Sequence, residues 1–227
     1  GEFQAISIQG QNQFNAFNYN VPGDISSAAF FIVLTILSTK SKMIIKNVNI
    51  NPSRIGIITI LNKMGAAIKF KNKKIYNGEK IADIYVKSKK NLFSINCPSK
   101  LNSSAIDEFL IIFLVAAKAK GVSKFKNLGE MNKKESKRLD IGVEFLKLIG
   151  IKVDRYKDDI KIHGNPNLIL SKNYEMKNFL KDHRVFFLSC ITALTLGGKW
   201  KINDKDSINT SFPSFLRTLK IIGAKIN

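Results

Sequence analysis

An α/β (α+β) fold made of three copies of one unit is predicted by three features of the sequence. In each copy an acidic residue precedes a strongly apolar helix, then come a short strand and a second helix that ends at a glycine. The acidic residue and the glycine are 41, 43 and 41 positions apart in the three copies. Alternating apolar residues follow each glycine and predict further strands. Matching intervals at three places argue against a chance alternation of helices and strands.

The three copies follow one another along residues 21–227. The first has a helix over residues 24–37, a strand over 43–50 and a second helix from about Ser53 to Gly65. The second starts at Asp107, has a strand over 121–128 and ends its second helix at Gly150. The third starts at Asp182, has a strand over 199–202 and ends its second helix at Gly223. Strands are also expected directly after the glycines, at 67–70, 151–153 and 224–226.

The segments between the copies are polar. Residues 71–80 and 157–167 are rich in Lys, Asn and Gly, which predicts hairpins and surface loops. Residues 1–20 fit no copy, because residues 3–9 alternate like a strand and an Asn- and Gln-rich run follows them. We therefore expect residues 1–20 to be the end of a different element and a crossover into the domain formed by residues 21–227.

Composition limits the class of protein but not its partner. The 227 residues include 37 Lys and Arg against 17 Asp and Glu, a formal net charge of +20. With 44% hydrophobic residues the chain can bury a substantial core, which excludes intrinsic disorder. All but five of the basic residues are lysines. The charge alone favours a nucleic acid, anionic metabolites and simple solubility about equally.

The sequence predicts neither a membrane span nor a metal site. The most apolar stretches, residues 28–37 and 109–117, are about half as long as the roughly 20 residues that a transmembrane helix needs. Cys97 and Cys190 are 93 positions apart, and no histidine stands at ligand spacing from them. We expect two buried free thiols in a reducing cytoplasm, with no signal peptide, disulfide framework or zinc site.

Two acidic residues precede helices at points where an anion could also bind, because helix N-termini present free N–H groups and a positive dipole end. Asp107 stands before the apolar helix of the second copy. A carboxylate there usually caps the helix, and the alternative is a general base that faces a ligand. Asp182 suits a cap in the third copy. The residues after it, His183 and Arg184, form an exposed first turn, or else Arg184 binds a carboxylate or phosphate.

The run from Asn132 to Arg138 carries a second candidate group. Asn132 with Glu135 three positions later resembles a capping box and predicts that a helix starts here. Lys134 and Arg138, four positions apart, would then lie on one helix face. Two cations placed side by side are either both solvated or share a bound anion.

Other features favour a structural role. Residues 51–54, Asn-Pro-Ser-Arg, predict a turn with Ser53 as helix N-cap, and we assign them no chemistry. His163 lies in a predicted surface turn. A platform for stacked nucleic-acid bases needs aromatic side chains among the basic residues. Here the aromatics are mainly phenylalanines within apolar helices, and we expect them in the core: Phe30, Phe31, Phe109, Phe113, Phe186 and Phe187.

Six segments together resemble the 5-enolpyruvylshikimate-3-phosphate (EPSP) synthase family, also called 3-phosphoshikimate 1-carboxyvinyltransferases. In order, they are Val-Pro-Gly-Asp-Ile-Ser-Ser-Ala at 21–28, Asn-Pro-Ser-Arg at 51–54, Ile-Asp-Glu at 106–108, Lys-Glu-Ser-Lys-Arg at 134–138, Asp-His-Arg at 182–184 and Thr-Ser-Phe-Pro at 210–213. Each segment is weak alone, but their order and spacing are specific. Residues 78–83 and 222–226 look most like the bacterial class that tolerates glyphosate.

The resemblance implies a fold and an activity. Members have two similar domains, each an inside-out α/β barrel of three βαβαββ units, and bind their substrates in the cleft between the domains. They transfer the enolpyruvyl group of phosphoenolpyruvate to the 5-hydroxyl of shikimate 3-phosphate and release phosphate, a step in aromatic amino acid biosynthesis that uses no cofactor. The implied protein is a cytoplasmic enzyme that is monomeric when complete. This chain would be its C-terminal half, inactive alone, with residues 1–20 ending a missing N-terminal domain.

The resemblance also implies roles for single residues. Asp107 resembles the carboxylate that contacts the shikimate hydroxyl and accepts its proton, and Glu135 resembles the acid that protonates the methylene carbon of phosphoenolpyruvate. The expected binding residues are Lys134 for shikimate 3-phosphate, Arg138 and Arg184 for phosphoenolpyruvate, and His183 in a supporting role.

Departures from the family pattern leave other functions open. Asn132, Lys133 and Lys137 differ from the usual residues and alter the surroundings of the positions that contact substrate. One alternative is a basic RNA-binding or RNA-processing domain of related fold. The other is a non-catalytic relative that has been retained as a binding or interaction domain.

Overall fold

The computed structural model describes residues 5–11, 13, 15–177 and 179–226. Residues 1–4, 12 and 14 of the predicted segment 1–20 lie outside the described residues, as do 178 and 227. The α-helices are α1 (Ile25–Leu37), α2 (Gly56–Lys63), α3 (Asn102–Ala105), α4 (Phe109–Lys118), α5 (Arg138–Leu148), α6 (His183–Leu196) and α7 (Phe215–Ile221). The strands are β1 (Lys42–Asn49), β2 (Ala67–Tyr76), β3 (Glu79–Lys87), β4 (Gly121–Phe125), β5 (Val153–Tyr156), β6 (Asp159–Gly164), β7 (Leu170–Met176) and β8 (Gly197–Ile202). Short 3-10 helices lie at Ser99–Leu101, Gly129–Lys133 and Lys205–Thr210.

The predicted order of helix, strand and second helix occurs three times. The first unit contains α1, β1 and α2 and ends in the hairpin β2–β3, so that its antiparallel sheet has the order β1-β3-β2. The second contains α4, β4 and α5 and has the equivalent sheet order β4-β6-β5. In the third, β7 and β8 pair in parallel on either side of α6, and α7 follows. The three sheets are therefore related, but the third has two described strands rather than three.

The surface loops predicted at 71–80 and 157–167 are mostly strand. β2 continues to Tyr76, and only Asn77 and Gly78 separate it from β3. Both turn residues have positive φ, 47° and 82°, as a tight hairpin turn of this kind requires. β6 occupies most of the second predicted loop. The hairpin prediction is correct but the loop prediction is wrong, because strands with one face in solvent carry the polar residues that loops also carry.

The strand predicted at 224–226 is also wrong. In the first two units the strand after the second helix pairs with a returning strand, β2 with β3 and β5 with β6. No described strand pairs with residues 224–226, and Ala224 and Ile226 instead pack against the core. The predicted helix ends are correct, since Gly65, Gly150 and Gly223 all have the positive φ of a C′ residue.

The core is built around α1, α4 and α6, which pack against one another and are buried on nearly every side. This explains why their sequences are apolar all round rather than along one stripe. The six phenylalanines predicted in the core are buried. None of the described helices is both long and apolar enough to cross a membrane.

Both cysteines are buried and free, as predicted. Burial raises the pKa of the Cys97 thiol to about 11 and that of the Cys190 thiol to about 12. A thiolate is the reactive form of cysteine, so neither side chain is a candidate nucleophile at neutral pH.

The described residues of segment 1–20 form no strand and are exposed. The Tyr19 ring lies 5.4 Å from the Tyr76 ring, and the backbone N–H of Asn20 donates to the Tyr76 hydroxyl at 3.0 Å. The segment is therefore joined to the first unit at the β2–β3 hairpin. Its assignment to the end of another domain stays a prediction.

Candidate active site

The candidate site lies where the first turns of α1, α4 and α6 meet. The Ser26 hydroxyl on α1 donates to Glu108 Oε1 at 2.5 Å, immediately before α4. Arg184 Nη1 on α6 donates to the backbone carbonyl of Asp107 at 3.0 Å. Residues 82 and 77 positions apart are thus in direct contact, and each unit contributes one helix start.

Asp107 is at the centre of the site. Its Oδ1 lies 3.3 Å from Lys134 Nζ and 3.2 Å from Arg138 Nη1, and its Oδ2 lies 3.7 Å from Arg54 Nη2. Burial by itself would raise the pKa of the carboxyl, but Arg184, Lys134 and Arg138 outweigh it and hold the pKa below its usual value. Asp107 is therefore ionised at neutral pH. In that state it can accept a proton from a ligand that binds next to it.

Asp107 does not cap a helix, so the capping interpretation of its position is wrong. The N-cap of α4 is Glu108, and its side chain makes no capping hydrogen bond either. The two acidic side chains instead contact cations from all three units and the Ser26 hydroxyl of the first unit. Asp182 does cap α6, as the sequence predicted, and Asp24 caps α1.

Asp182 and Arg138 form the buried side of the site. Asp182 Oδ2 accepts from Arg138 Nε and from the Ser136 hydroxyl, each at 2.8 Å, while Oδ1 accepts from the Arg184 N–H at 2.9 Å. The Arg138 side chain is only 1% exposed, and its Nη2 contacts Glu135. Burial would raise the pKa of Asp182, but the adjacent Arg138 lowers it. The pair is thus doubly anchored, at a helix cap and in an ion cluster.

The predicted helix over residues 133–138 is wrong, and Lys134 and Arg138 do not share a helix face. α5 begins only at Arg138, and the backbone at Lys134 is extended, with φ −86° and ψ −165°. Asn132 Oδ1 accepts from the N–H of Leu139 at 3.0 Å, so it bonds the first turn of α5 across the intervening loop rather than forming a box with Glu135. The loop nevertheless brings both cations to one carboxylate.

Arg54 is a member of the site that the sequence analysis missed. The predicted turn is present, since the Arg54 N–H donates to the Asn51 carbonyl at 2.9 Å. Ser53 is not the helix cap, however, because α2 begins at Gly56 after Ile55. Arg54 remains outside the helix and reaches Asp107 and Ser26.

Glu108 and Ser26 were also missed. The Glu108 side chain is 3% exposed, lies 3.9 Å from Arg184 Nη1 and has a pKa raised by burial. Both lie close in sequence to another acidic residue at a helix start: Glu108 follows Asp107, and Ser26 lies two positions after Asp24. The sequence does contain a signal for them. Two adjacent acidic residues stand before α4 and two adjacent serines lie in the first turn of α1, although one capping side chain is enough for each helix start.

Glu135 and His183 lie at the edges of the cluster. The Glu135 side chain is 61% exposed, and Arg138 links it to Asp107. Burial, followed by Arg184, lowers the pKa of His183, whose ring lies 5.7 Å from that of Phe187. The prediction of an exposed turn is wrong for Arg184, because its side chain is 13% exposed and its buried Nε has no hydrogen-bond partner among the described residues.

The arrangement combines fixed cations with two carboxylates in different environments. Such a site can bind an anion and move a proton, because a carboxylate held ionised accepts a proton and a second carboxyl group, nearer solvent, can deliver one when it is protonated. The cluster contains four cations and four carboxylates: Arg54, Lys134, Arg138 and Arg184, with Asp107, Glu108, Glu135 and Asp182.

Comparison with known proteins gives one consistent result. The family model described as EPSP synthase (3-phosphoshikimate 1-carboxyvinyltransferase) matches residues 1–219. Curated 3-phosphoshikimate 1-carboxyvinyltransferases are similar over almost the whole chain: that of Ruthia magnifica is 38% identical and that of Zymomonas mobilis 36%. The matches cover 98% and 97% of this chain but 50% and 49% of the two relatives. The chain therefore spans about half the length of the curated relatives it matches.

Solved structures agree with the sequence matches. EPSP synthase from Acinetobacter baumannii superposes with a TM-score of 0.85 at 34% identity, over 91% of this chain and 47% of that one. The enolpyruvyl transferase NikO from Streptomyces tendae superposes with a TM-score of 0.64 at 13% identity, over 89% of this chain and 43% of that one, and shows likeness of fold alone. The α/β fold implied by the sequence is confirmed.

Proposed function

The chain belongs to the EPSP synthase (3-phosphoshikimate 1-carboxyvinyltransferase) family, and on that premise we propose that it forms about half of an enzyme that transfers an enolpyruvyl group. The donor is phosphoenolpyruvate, the acceptor is the 5-hydroxyl of shikimate 3-phosphate, and phosphate is released. The observation that carries the proposal is the convergence of Lys134, Arg138 and Arg184 on Asp107, since all four were expected to act on one pair of substrates. The remaining half of the site belongs to a domain outside residues 1–227.

The geometry supports a division of work between two carboxylates. The neighbouring cations hold Asp107 ionised, so that it can take the proton of the acceptor hydroxyl. The oxygen of that hydroxyl bonds to C2 of phosphoenolpyruvate in the same step. Glu135, on the exposed side of Arg138, gives a proton to the methylene carbon. The resulting tetrahedral intermediate loses phosphate, which takes up the proton held by Asp107. Glu135 takes back a proton from the methyl group, and the double bond is restored. Lys134 and Arg184 stabilise the substrates' negative charges.

Charge balance supports the proposal that this half is inactive alone. The four cations of the cluster face four carboxylates, so the cluster has no excess positive charge when all eight groups are ionised. Holding both polyanionic substrates together for turnover requires such an excess, and we propose that the other domain supplies it. Family membership and the buried phenylalanines argue against the RNA-binding alternative, while the non-catalytic alternative is an outcome of the following experiment.

A chimera tests the proposed function. The chain replaces the matching half of the Ruthia magnifica relative, and phosphate release is measured with both substrates. We expect turnover by the chimera and none by the chain alone. Asp107→Asn and Glu135→Gln should each lower kcat by about 10²- to 10⁴-fold, the usual contribution of general acid–base catalysis.

The matched control is Glu130→Gln, which alters an exposed carboxylate paired with Lys133 and should leave kcat unchanged. A folded chimera that binds both substrates without turnover would support the non-catalytic alternative. Turnover by the isolated chain would contradict the proposal that another domain is needed.

A further inference from the structure

Arg54 and Arg138 offer very different numbers of free donors to a ligand. Arg138 directs Nε to Asp182, Nη1 to Asp107 and Nη2 to Glu135, and its side chain is 1% exposed. Arg54 donates from Nη2 alone within the described part of the chain, and its side chain is 48% exposed. An arginine has five N–H donors in a planar fork that matches carboxylate and phosphate. Arg54 therefore retains donors that an oxyanion can use.

Arg54 is held in place although it is half exposed. Its Nη2 donates to the Ser26 hydroxyl at 3.1 Å. Because arginine cannot accept a hydrogen bond, the hydroxyl must accept here and keeps its own proton for Glu108, which it meets at 2.5 Å. The direction of the relay, from Arg54 through Ser26 to Glu108, is thus fixed by chemistry. Glu108 is buried, so the surrounding protein rather than solvent holds its side chain in position.

Arg54 lines a cavity of about 380 Å³ together with Asn49, Asn51 and Tyr19. Two carboxylates line this cavity as well, but both have partners. Asp24 accepts from the N–H groups of Ser26 and Ser27, and Glu79 accepts from the Asn49 amide at 2.7 Å. Arg54 links this cavity to the site, since its Nη2 lies 3.7 Å from Asp107 Oδ2.

We propose that Arg54 is a further binding residue of this site and contacts a phosphate-type oxyanion of the substrate, with Ser26 and Glu108 as the positioning residues that aim it. The inference rests on the proposed function for the identity of the substrate. Arg54 is the cation that the first unit contributes to the cluster, whereas Lys134, Arg138 and Arg184 belong to the second and third units.

The experiment measures binding of two probes to the 227-residue chain by NMR titration, inorganic phosphate and phosphoenolpyruvate. Arg54→Ala should raise the Kd for both about 10- to 100-fold, the loss expected for charge-assisted hydrogen bonds. Lys63→Ala is the matched control, because Lys63 is an exposed cation at the other end of α2 and its loss changes net charge equally. Its Kd should stay within about twofold of the unmodified value, since exposed charges distant from a site are screened.

Two further variants separate positioning from general stability. Ser26→Ala should weaken phosphate binding while Ser26→Thr, which keeps the hydroxyl, restores it. Adding Ser26→Ala to Arg54→Ala should cause little further loss, because residues that act through one another are not additive. Thermal unfolding of each variant shows whether the chain is folded.

Several results would overturn the inference. They are absence of phosphate binding by the unmodified chain, equal binding by folded Arg54→Ala, equal losses in Arg54→Ala and Lys63→Ala, or full additivity with Ser26→Ala. Failure of the proposed function has a different signature. In that case phosphate binds and depends on Arg54, but phosphoenolpyruvate does not compete with it.

Discussion

Arg138 and Arg54 lie at different oxygens of the same carboxylate, that of Asp107, and their surroundings differ sharply. The Arg138 side chain is 1% exposed and meets three carboxylates, whereas that of Arg54 is 48% exposed and bonds one hydroxyl. Arg138, a buried cation with all three nitrogens engaged, fixes the position of Asp107 and the loop before α5. A half-exposed cation with one engaged nitrogen can bind a ligand. Burial thus decides how many donors each of two identical side chains keeps for a ligand.

The comparison also predicts where the cluster is fragile. Removing one partner of a buried ion pair leaves an uncompensated charge, which costs far more than losing an exposed pair. The buried side, with Asp182, Ser136 and Arg138, should therefore control stability. The open side, with Arg54 and Lys134, should control ligand binding.

Asp182→Ala should have the largest effect on stability. It leaves the Arg138 guanidinium buried without its main partner and removes the cap of α6. The free energy of unfolding should fall by about 3–5 kcal/mol, measured by urea denaturation. Glu135→Ala removes another carboxylate contact of Arg138, but an exposed one, and should cost less than about 1 kcal/mol. Equal losses in the two variants would contradict the division into buried and open sides.

Ser136→Ala should have an intermediate effect. The Ser136 hydroxyl is buried and donates to Asp182 Oδ2 at 2.8 Å, so its loss leaves a buried carboxylate short of one hydrogen bond. We expect unfolding to become easier by about 1–3 kcal/mol in the same assay. Ser53→Ala removes an exposed hydroxyl that donates to Asn51 Oδ1 and should stay within about 0.5 kcal/mol of the unmodified chain. A Ser136 effect as small as that of Ser53 would show that the buried side tolerates unpaired groups.

The pH dependence of stability should show the smallest effect. Burial holds the pKa of His183 in the folded chain below its unfolded value of about 6.5. Between the two pKa values the unfolded chain binds more protons, so stability should rise as pH increases through this window and fall as pH decreases through it. Unfolding free energies measured across it should flatten in His183→Gln.

The other histidine provides a control for this pH effect. His163 is half-buried on β6 of the second sheet, where its Nε2 lies 2.7 Å from Asp154 Oδ2. His163→Gln should leave the His183-dependent slope unchanged. If the slope disappears in His163→Gln but persists in His183→Gln, the prediction that His183 causes the pH dependence is wrong.

The repeat could be predicted because its signals are local. The apolar runs that became α1, α4 and α6, and Gly65, Gly150 and Gly223 at the helix ends, depend on a few neighbouring residues. Errors arose where an element depends on a distant partner. Residues 71–76 form a strand because β3 pairs with them, and residues 224–226 form none because no described strand does.

The site divides in the same way. Motif resemblance identified Asp107, Lys134 and Arg138, and the structure brings them together. It could not identify Ser26 and Arg54, whose partners lie 28 and more positions away in sequence. It also misplaced the start of α5, because Asn132 bonds Leu139 across the loop rather than the nearer amides.

The sequence by itself determined the family, the three helix starts and most of the charged groups that meet between them, because motifs and hydrophobic periodicity are written over short stretches of chain. Only the tertiary structure decided which of those charges are buried and which are free. Packing of α1, α4 and α6 removes water from Asp182 and Arg138 and leaves Arg54 half in solvent. Solvent exposure and partner geometry are properties of the assembled elements, and they determine whether a cation stabilises the fold or binds an anion.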